Sequence, residues 1–146
     1  MRILKFGGTS MSDASTWQQV INIITQYKSP FVVVSATART TRKLIKAATA
    51  ALDDIIEARG IAADIKQRHK KLTTEFLSNY QDKEYLIKNS DAWIEKQIEE
   101  LNTQLDTINN EQELSEQKKD AVASIGEKLS SYLFAQCASA AGLTTQ

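Results

Sequence analysis

Cysteine, proline and histidine each occur once in these 146 residues, and neither sign of charge prevails. The single cysteine, Cys137, excludes an intrachain disulfide and any metal site built from several thiolates. The lone His69 has no second ligand at metal-binding spacing, so composition alone reads it as a surface histidine and no metal site is expected. Eighteen Lys and Arg balance eighteen Asp and Glu. That balance removes bulk attraction to nucleic acid or an anionic membrane, and neither is expected as a partner. No apolar run approaches the roughly 18–20 residues needed to span a bilayer. The chain enters Arg2-Ile3-Leu4 without the hydrophobic region of a signal peptide, and a cytoplasmic location is the resulting expectation. Internal repeats, low-complexity tracts and long linkers are also missing.

What remains is a globular composition, 42% hydrophobic and 25% charged, sized for one ordinary domain. Two segments read as strands. Residues 2–6 (RILKF) stop at Gly7-Gly8, and residues 31–36 (FVVVSA) follow Pro30. The second run is β-branched with little polar alternation, which suits a strand buried on both faces of a parallel sheet. Between them Trp17, Val20, Ile21, Ile24 and Tyr27 recur at helical spacing behind Ser12 or Asp13 as caps, completing a βαβ unit. A second helix is expected near 41–58, with Gly60 as its stop. Ile65, His69, Leu72, Phe76 and Tyr80 then step by four and three, as do Ile94, Ile98, Leu101, Leu105 and Ile108 behind Ser90 or Asp91. These two stripes predict an antiparallel, coiled-coil-like hairpin, and Asn109-Asn110 predicts the turn that follows. The last helix is expected from about 114 to 141, ended by Gly142. The basic run 66–71 reads as a solvated helix face. The fold class is therefore α/β: a small parallel sheet with a helical excursion over about 61–141. A two-stranded parallel sheet is a poor stopping point for a domain, so the chain reads as cut short.

Three segments carry candidate chemistry. Lys5-Phe6-Gly7-Gly8-Thr9-Ser10 lies where the first strand meets a helix, the usual ligand position in open α/β sheets. Glycine amides, a helix N-terminus and the Lys5 ammonium suit a phosphate group. The lysine precedes the glycines, so this is not a Walker P-loop, and no G-x-G-x-x-G fingerprint is present. A plain strand-end turn fits the same residues. Ser35-Ala36-Thr37-Ala38-Arg39-Thr40-Thr41 crowds four hydroxyls and an arginine behind the second strand. They could bind a small anion or merely cap the next helix. Gly126-Glu127 lies inside the last helix, where glycine costs about 1 kcal/mol and asks for a reason. Glu127 falls away from the Ile125–Leu129–Leu133 stripe, with Ser124, Ser130 and Ser131, as a solvated glutamate would.

Taken together, KFGGTS at the N-terminus, Ser35-Ala36 with Thr41, and Gly126-Glu127-Lys128-Leu129-Ser130-Ser131 resemble the amino-acid kinase family, its aspartate kinases in particular. The resemblance covers residues 1–146 and corresponds to the N-terminal part of the kinase domain. It implies transfer of the γ-phosphoryl of ATP, with Mg2+, to the side-chain carboxylate of L-aspartate, toward lysine, threonine and methionine. In that light Lys5 would be the catalytic cation. Lys5, Phe6, Gly7, Gly8, Thr9 and Ser10 would hold the nucleotide, and Ser35, Thr41 and Glu127 would contact aspartate. The parent would be a homo-oligomer, and the incomplete sheet could let this piece pair with itself.

Family members run on for several hundred residues, with the adenine-binding half and a catalytic aspartate further along. The expectation is an inactive piece, whether a truncation, a proteolytic remnant or a broken reading frame. Alternatives are the front of a bifunctional aspartate kinase–homoserine dehydrogenase, or a non-catalytic helical interaction module. KFGGTS with Gly-Glu argues against kinases acting on glutamate, N-acetylglutamate, carbamate or uridylate. The family often has glycine where Arg39 stands and asparagine or aspartate where Arg42 stands. A loop shape that depends on glycine is therefore not expected at Arg39.

Overall fold

In the computed structural model, which describes residues 2–145, two short strands and five helices alternate and then give way to helices alone. Strand β1 (Ile3–Phe6) pairs in parallel with β2 (Phe31–Val34), with Ile3 opposite Phe31 and Phe6 opposite Val34. Helix α1 (Ala14–Ile24) connects them. Its N-cap is Asp13, whose carboxylate accepts from Thr16 N while the Thr16 hydroxyl accepts from Asp13 N, a reciprocal capping box. Trp17, Val20, Ile21 and Ile24 form its buried stripe, and Trp17 meets Phe134 edge-on at 5.4 Å.

The sheet is covered on one face only. Leu4, Phe6, Val32 and Val34 pack against the core, whereas Ile3, Phe31 and Val33 are 62%, 64% and 40% exposed. The expected burial of the second strand on both faces is thus corrected among the described residues: the helices all lie on one side.

Helix α2 (Thr40–Ala50) ends earlier than its pattern suggested, and α3 runs from Ile55 to Leu77 straight through Gly60. The boundary is set by Asp54, whose carboxylate accepts from Ile56 N and Glu57 N at 3.0 Å each. Gly60 stops nothing; it sits on an exposed part of α3 with open space where a Cβ would be. Helix α4 (Lys83–Glu111) begins a full two turns before Ser90, which is buried inside it. It continues through Asn109-Asn110 to a left-handed Gln112 at φ 51°. Asn109 makes no turn because its amide is used elsewhere: Nδ2 donates to Ala51 O at 2.8 Å, and Gln112 Nε2 donates to Leu52 O at 2.9 Å. These bonds satisfy carbonyls freed at the end of α2.

Helices α3 and α4 form the antiparallel hairpin that the two stripes predict. Arg59 pairs with Asp106 near one end, and Lys66 and Lys70 share Glu95 further along. The exposed pairs contribute little, and the seam of Ile65, Leu72, Phe76, Ile94, Ile98, Leu101 and Leu105 supplies the burial. Helix α5 (Glu116–Ala140) lies across α2 and α4, capped by Ser115 and closed by Gly142 at φ 92° with Leu143 N donating to Ala138 O. Cys137 is buried in its stripe, and burial pushes its thiol up, so it packs rather than reacts. No helix among the described residues is long and apolar enough to cross a membrane.

Candidate functional site

The carboxyl ends of the two strands lie side by side because the ladder continues one bond further, with Ser35 N donating to Phe6 O at 3.0 Å. Beyond Phe6 the chain turns at Gly8, whose carbonyl accepts from Met11 N at 3.1 Å, and the fully buried Met11 anchors the turn. Ser12 Oγ closes it by donating to Thr9 O at 2.6 Å. Gly7 has nothing within 4 Å of a built Cβ, and Gly8 would meet only Ala36 O at 3.5 Å and Ala38 Cα at 3.8 Å. Neither glycine has a positive φ. Backbone conformation and packing within this chain therefore do not require glycine at 7 or 8. Lys5 extends from the open face of the sheet, in register with Val33.

The Ser35–Thr41 loop is held from below. Thr37 and Thr40 are both buried, with their hydroxyl oxygens 2.5 Å apart, and Thr37 Oγ1 lies 3.0 Å from His69 Nε2. His69 Nδ1 stands 2.7 Å from Ile65 O, which can only accept, so Nδ1 carries the proton and Nε2 accepts. The chain of donors is then fixed: Thr40 donates to Thr37, Thr37 to His69 and His69 to Ile65. Burial, far more than the neighbouring Arg68 charge, lowers His69 to about 4, so the ring is neutral near pH 7. Arg68 Nη1 donates to Ala38 O of the same loop. Two expectations are corrected here. His69 is a buried support rather than a surface residue, and the basic run turns two of its six members inward. Lys66 and Lys70 do lie outside, on Glu95.

Arg39 occupies the N-cap position of α2 in the left-handed region, φ 67° and ψ −2°, without a side-chain cap. The loop shape that glycine would favour is therefore present with arginine in it, contrary to expectation. Simple capping does not explain the hydroxyls, since Thr37 and Thr40 point to each other and to His69. Thr41 is exposed and Ser35 half-buried.

Gly126 is the close-packed glycine of the molecule. A Cβ there would fall 2.8 Å from Ala36 Cβ, 3.3 Å from Leu44 Cδ1 and 3.6 Å from Thr40 Cγ2. Its absence lets α5 lie directly on the loop after β2, which accounts for a glycine in mid-helix. Glu127, the next residue, is exposed; its carbonyl accepts from Ser131 Oγ at 2.7 Å and Ser130 Oγ at 3.3 Å. Ser130 is buried rather than solvated beside Glu127 as its position on the helix suggested. Among the described residues neither Lys5 nor Glu127 makes an ion pair. Ala36 is thus the common point: Gly8 approaches its carbonyl and Gly126 its methyl, so all three motif segments meet around one buried residue.

Hydroxyls and one carboxylate do not make a magnesium cage, and no group of three metal-capable side chains occurs among the described residues. The donor set suits an anion beside Lys5 and the glycines, and an ammonium group beside Glu127. His69, Thr37 and Arg68 are the supports that motif reading passes over. Their signal was the helical period, which puts His69 on the stripe of Ile65 and Leu72.

Residues 1–146 match the model of the amino acid kinase family. Aspartokinase 2, chloroplastic, of Arabidopsis thaliana is 30% identical over 137 residues, covering 90% of this chain and 23% of that protein. Aspartokinase 3, chloroplastic, from the same plant is 30% identical over 141 residues, covering 91% and 23%. The chain spans less than a quarter of these relatives. Among solved structures, E. coli aspartokinase III in complex with aspartate and ADP superposes with a TM-score of 0.80 at 21% identity, over 100% of this chain and 30% of that one. At that identity the likeness is one of fold.

Proposed function

Given that the chain belongs to the amino acid kinase family, we propose that it carries the phosphate-and-aspartate side of an aspartate kinase active site. The observation that supports this most is the meeting of the three segments at Ala36, with glycine at 7 and 8 required neither by backbone φ nor by packing within the chain. The relatives are aspartokinases, and the solved neighbour was obtained with aspartate and ADP.

In this reading the full-length protein transfers the γ-phosphoryl of ATP to the side-chain carboxylate of L-aspartate, giving 4-phospho-L-aspartate and ADP. This acyl phosphate is a first step toward lysine, threonine and methionine. Lys5 stabilises charge on the transferring phosphoryl group, and the amides of Gly7 and Gly8 approach its oxygens with no side chain in the way. Phe6 fixes the end of β1, and Thr9 and Ser10 flank the phosphates. Ser35 and Thr41 offer hydroxyls to aspartate, while the unpaired Glu127 carboxylate accepts from its α-ammonium. The work is positioning and charge neutralisation rather than covalent chemistry. Magnesium belongs with the nucleotide, since these residues build no cage for it. A cytoplasmic, homo-oligomeric enzyme completes the proposal, and the 146 residues alone are expected to turn over little or no substrate.

Amide NMR on the 146-residue chain tests the binding half of this reading. ADP with Mg2+ should shift residues 5–10, and aspartate should shift Ser35, Thr41 and Glu127. Lys5→Ala should abolish the first response and Glu127→Gln the second. Shifts confined to other surfaces, or none at millimolar ligand, would refute it.

A further inference from the structure

We propose that His69 is a positioning residue for aspartate, fixing the Ser35–Thr41 loop from α3 through Thr37. The inference rests on the aspartate reading above for its ligand, and on the geometry of the loop for everything else.

The loop has little of its own to hold it. Its N-cap residue makes no side-chain cap, its backbone passes through the left-handed region at Arg39, and Thr41 stands in solvent. What it has instead is a set of tethers from elsewhere. At the β2 end, Ser35 N is bonded to Phe6 O at 3.0 Å. At the α2 end, Thr37 and Thr40 are bonded to each other and, through Thr37, to His69 at 3.0 Å. Arg68, the residue before His69, reaches the carbonyl of Ala38 between them. Consecutive residues of one helix thus grip the middle of the loop.

A nonpolar side chain would fill the His69 position, as Ile65 and Leu72 fill the same stripe one turn to either side. The imidazole adds direction. Nδ1 is committed to Ile65 O, so Nε2 can only accept, and Thr37 must present its single proton to it. Thr40 must then donate to Thr37. Every proton in the chain is assigned, so one arrangement of the two threonines is favoured over all others. Each hydroxyl that faces substrate is one or two residues from a tethered one: Thr41 follows Thr40, and Ser35 precedes the buried Ala36 and Thr37. Lys5 lies on β1 and Gly7 and Gly8 on the turn after it, and none of them takes part in this chain. The tether should therefore govern aspartate and leave the nucleotide alone.

The test uses the 146-residue chain with His69→Leu, Thr37→Val and His69→Gln. Glutamine places an acceptor near the position of Nε2; leucine and valine break the Thr37–His69 link from either side while preserving bulk. The first measurement needs no ligand: hydrogen exchange of the Thr40 and Lys43 amides, which donate to Thr37 O and Arg39 O. Removing one partner of a buried hydrogen bond should speed their exchange about tenfold or more in the Leu and Val variants. His69→Gln should stay within about threefold of wild type, with the amide of Thr25, the C-cap of α1, as an unaffected control. The second measurement titrates L-aspartate and, separately, ADP with Mg2+. Aspartate affinity should fall about tenfold in the Leu and Val variants and recover in the Gln variant, with ADP affinity unchanged throughout.

Unchanged exchange in a folded His69→Leu or Thr37→Val variant would overturn the proposal, as would equal losses of aspartate and ADP. If wild type binds no aspartate, the functional reading falls. The exchange data then decide alone whether His69 positions the loop.

Discussion

Two glycines lie inside helices, and alanine at each should have opposite effects. At Gly60, in α3, a Cβ meets nothing within 4 Å. Alanine there gains helix propensity without strain, about 1 kcal/mol, which raises Tm by roughly 2–4 °C in a chain of this size. At Gly126, in α5, the propensity gain is the same. The new Cβ, however, would lie 2.8 Å from Ala36 Cβ and 3.3 Å from Leu44 Cδ1. The first of these is closer than carbon atoms tolerate and Ala36 Cβ is fixed to the backbone, while the Leu44 methyl is fully buried and has little room to give. Overpacking of this kind costs about 1–3 kcal/mol. Gly126→Ala should therefore be neutral to about 2 kcal/mol destabilising, and the two variants should differ by about 1–3 kcal/mol. Urea denaturation at pH 7.5, read by far-UV circular dichroism, gives both values from shifts in midpoint. Because the strain falls on Ala36, adding Ala36→Gly to Gly126→Ala should recover much of the packing loss, seen as coupling in the double-mutant cycle. If Gly126→Ala stabilises the chain as much as Gly60→Ala does, close approach of α5 to the loop is not the reason for that glycine.

Acid should expose His69. Well above pH 6.5 the ring is neutral in both states and contributes no pH dependence; as pH falls through 6.5 the unfolded chain takes a proton that the folded chain refuses until about 4. Stability should fall by about 2 kcal/mol between pH 7.5 and 5 from this group, and His69→Gln should lose that part of the slope; equal slopes would contradict it. Arg39→Gly should raise stability by about 0.5–1 kcal/mol in a thermal melt, because arginine holds φ 67° there at a steric cost. Asp54→Ala should cost about 1 kcal/mol in the same assay by uncapping α3.

Sequence pattern was a good guide where neighbouring residues decide the outcome. The βαβ unit, the Asp13 cap and the α3–α4 hairpin follow from hydrophobic period and capping chemistry, and all are present. It failed where a distant partner decides. Gly60 resembles a helix stop, yet Asp54 starts a new helix before it and tertiary packing carries α3 past it. Asn109 resembles a turn residue, but its amide serves a carbonyl at the end of α2. His69 belonged to the buried stripe by spacing and to the surface by residue type; Thr37, which satisfies its Nε2, lies 32 residues away. Among the candidate site residues, Gly126 alone declared its purpose as an anomaly in a helix. That its neighbour in space is Ala36 requires the fold.

The alternation along β1 and β2 divides the sheet by parity. Even-numbered residues, Leu4, Phe6, Val32 and Val34, turn toward the helices, while the odd-numbered Ile3, Lys5, Phe31 and Val33 turn away. Two messages are therefore written into the same few residues of chain. The even positions answer to the folding of these 146 residues, and substitution there is read out as lost stability. The odd positions are free of that demand, so polar replacements of Ile3 or Phe31 should leave the melting curve where it was. Lys5 is an odd position. Its identity is not constrained by the architecture that presents it, so an effect of Lys5→Ala on ligand binding can be read without correcting for unfolding.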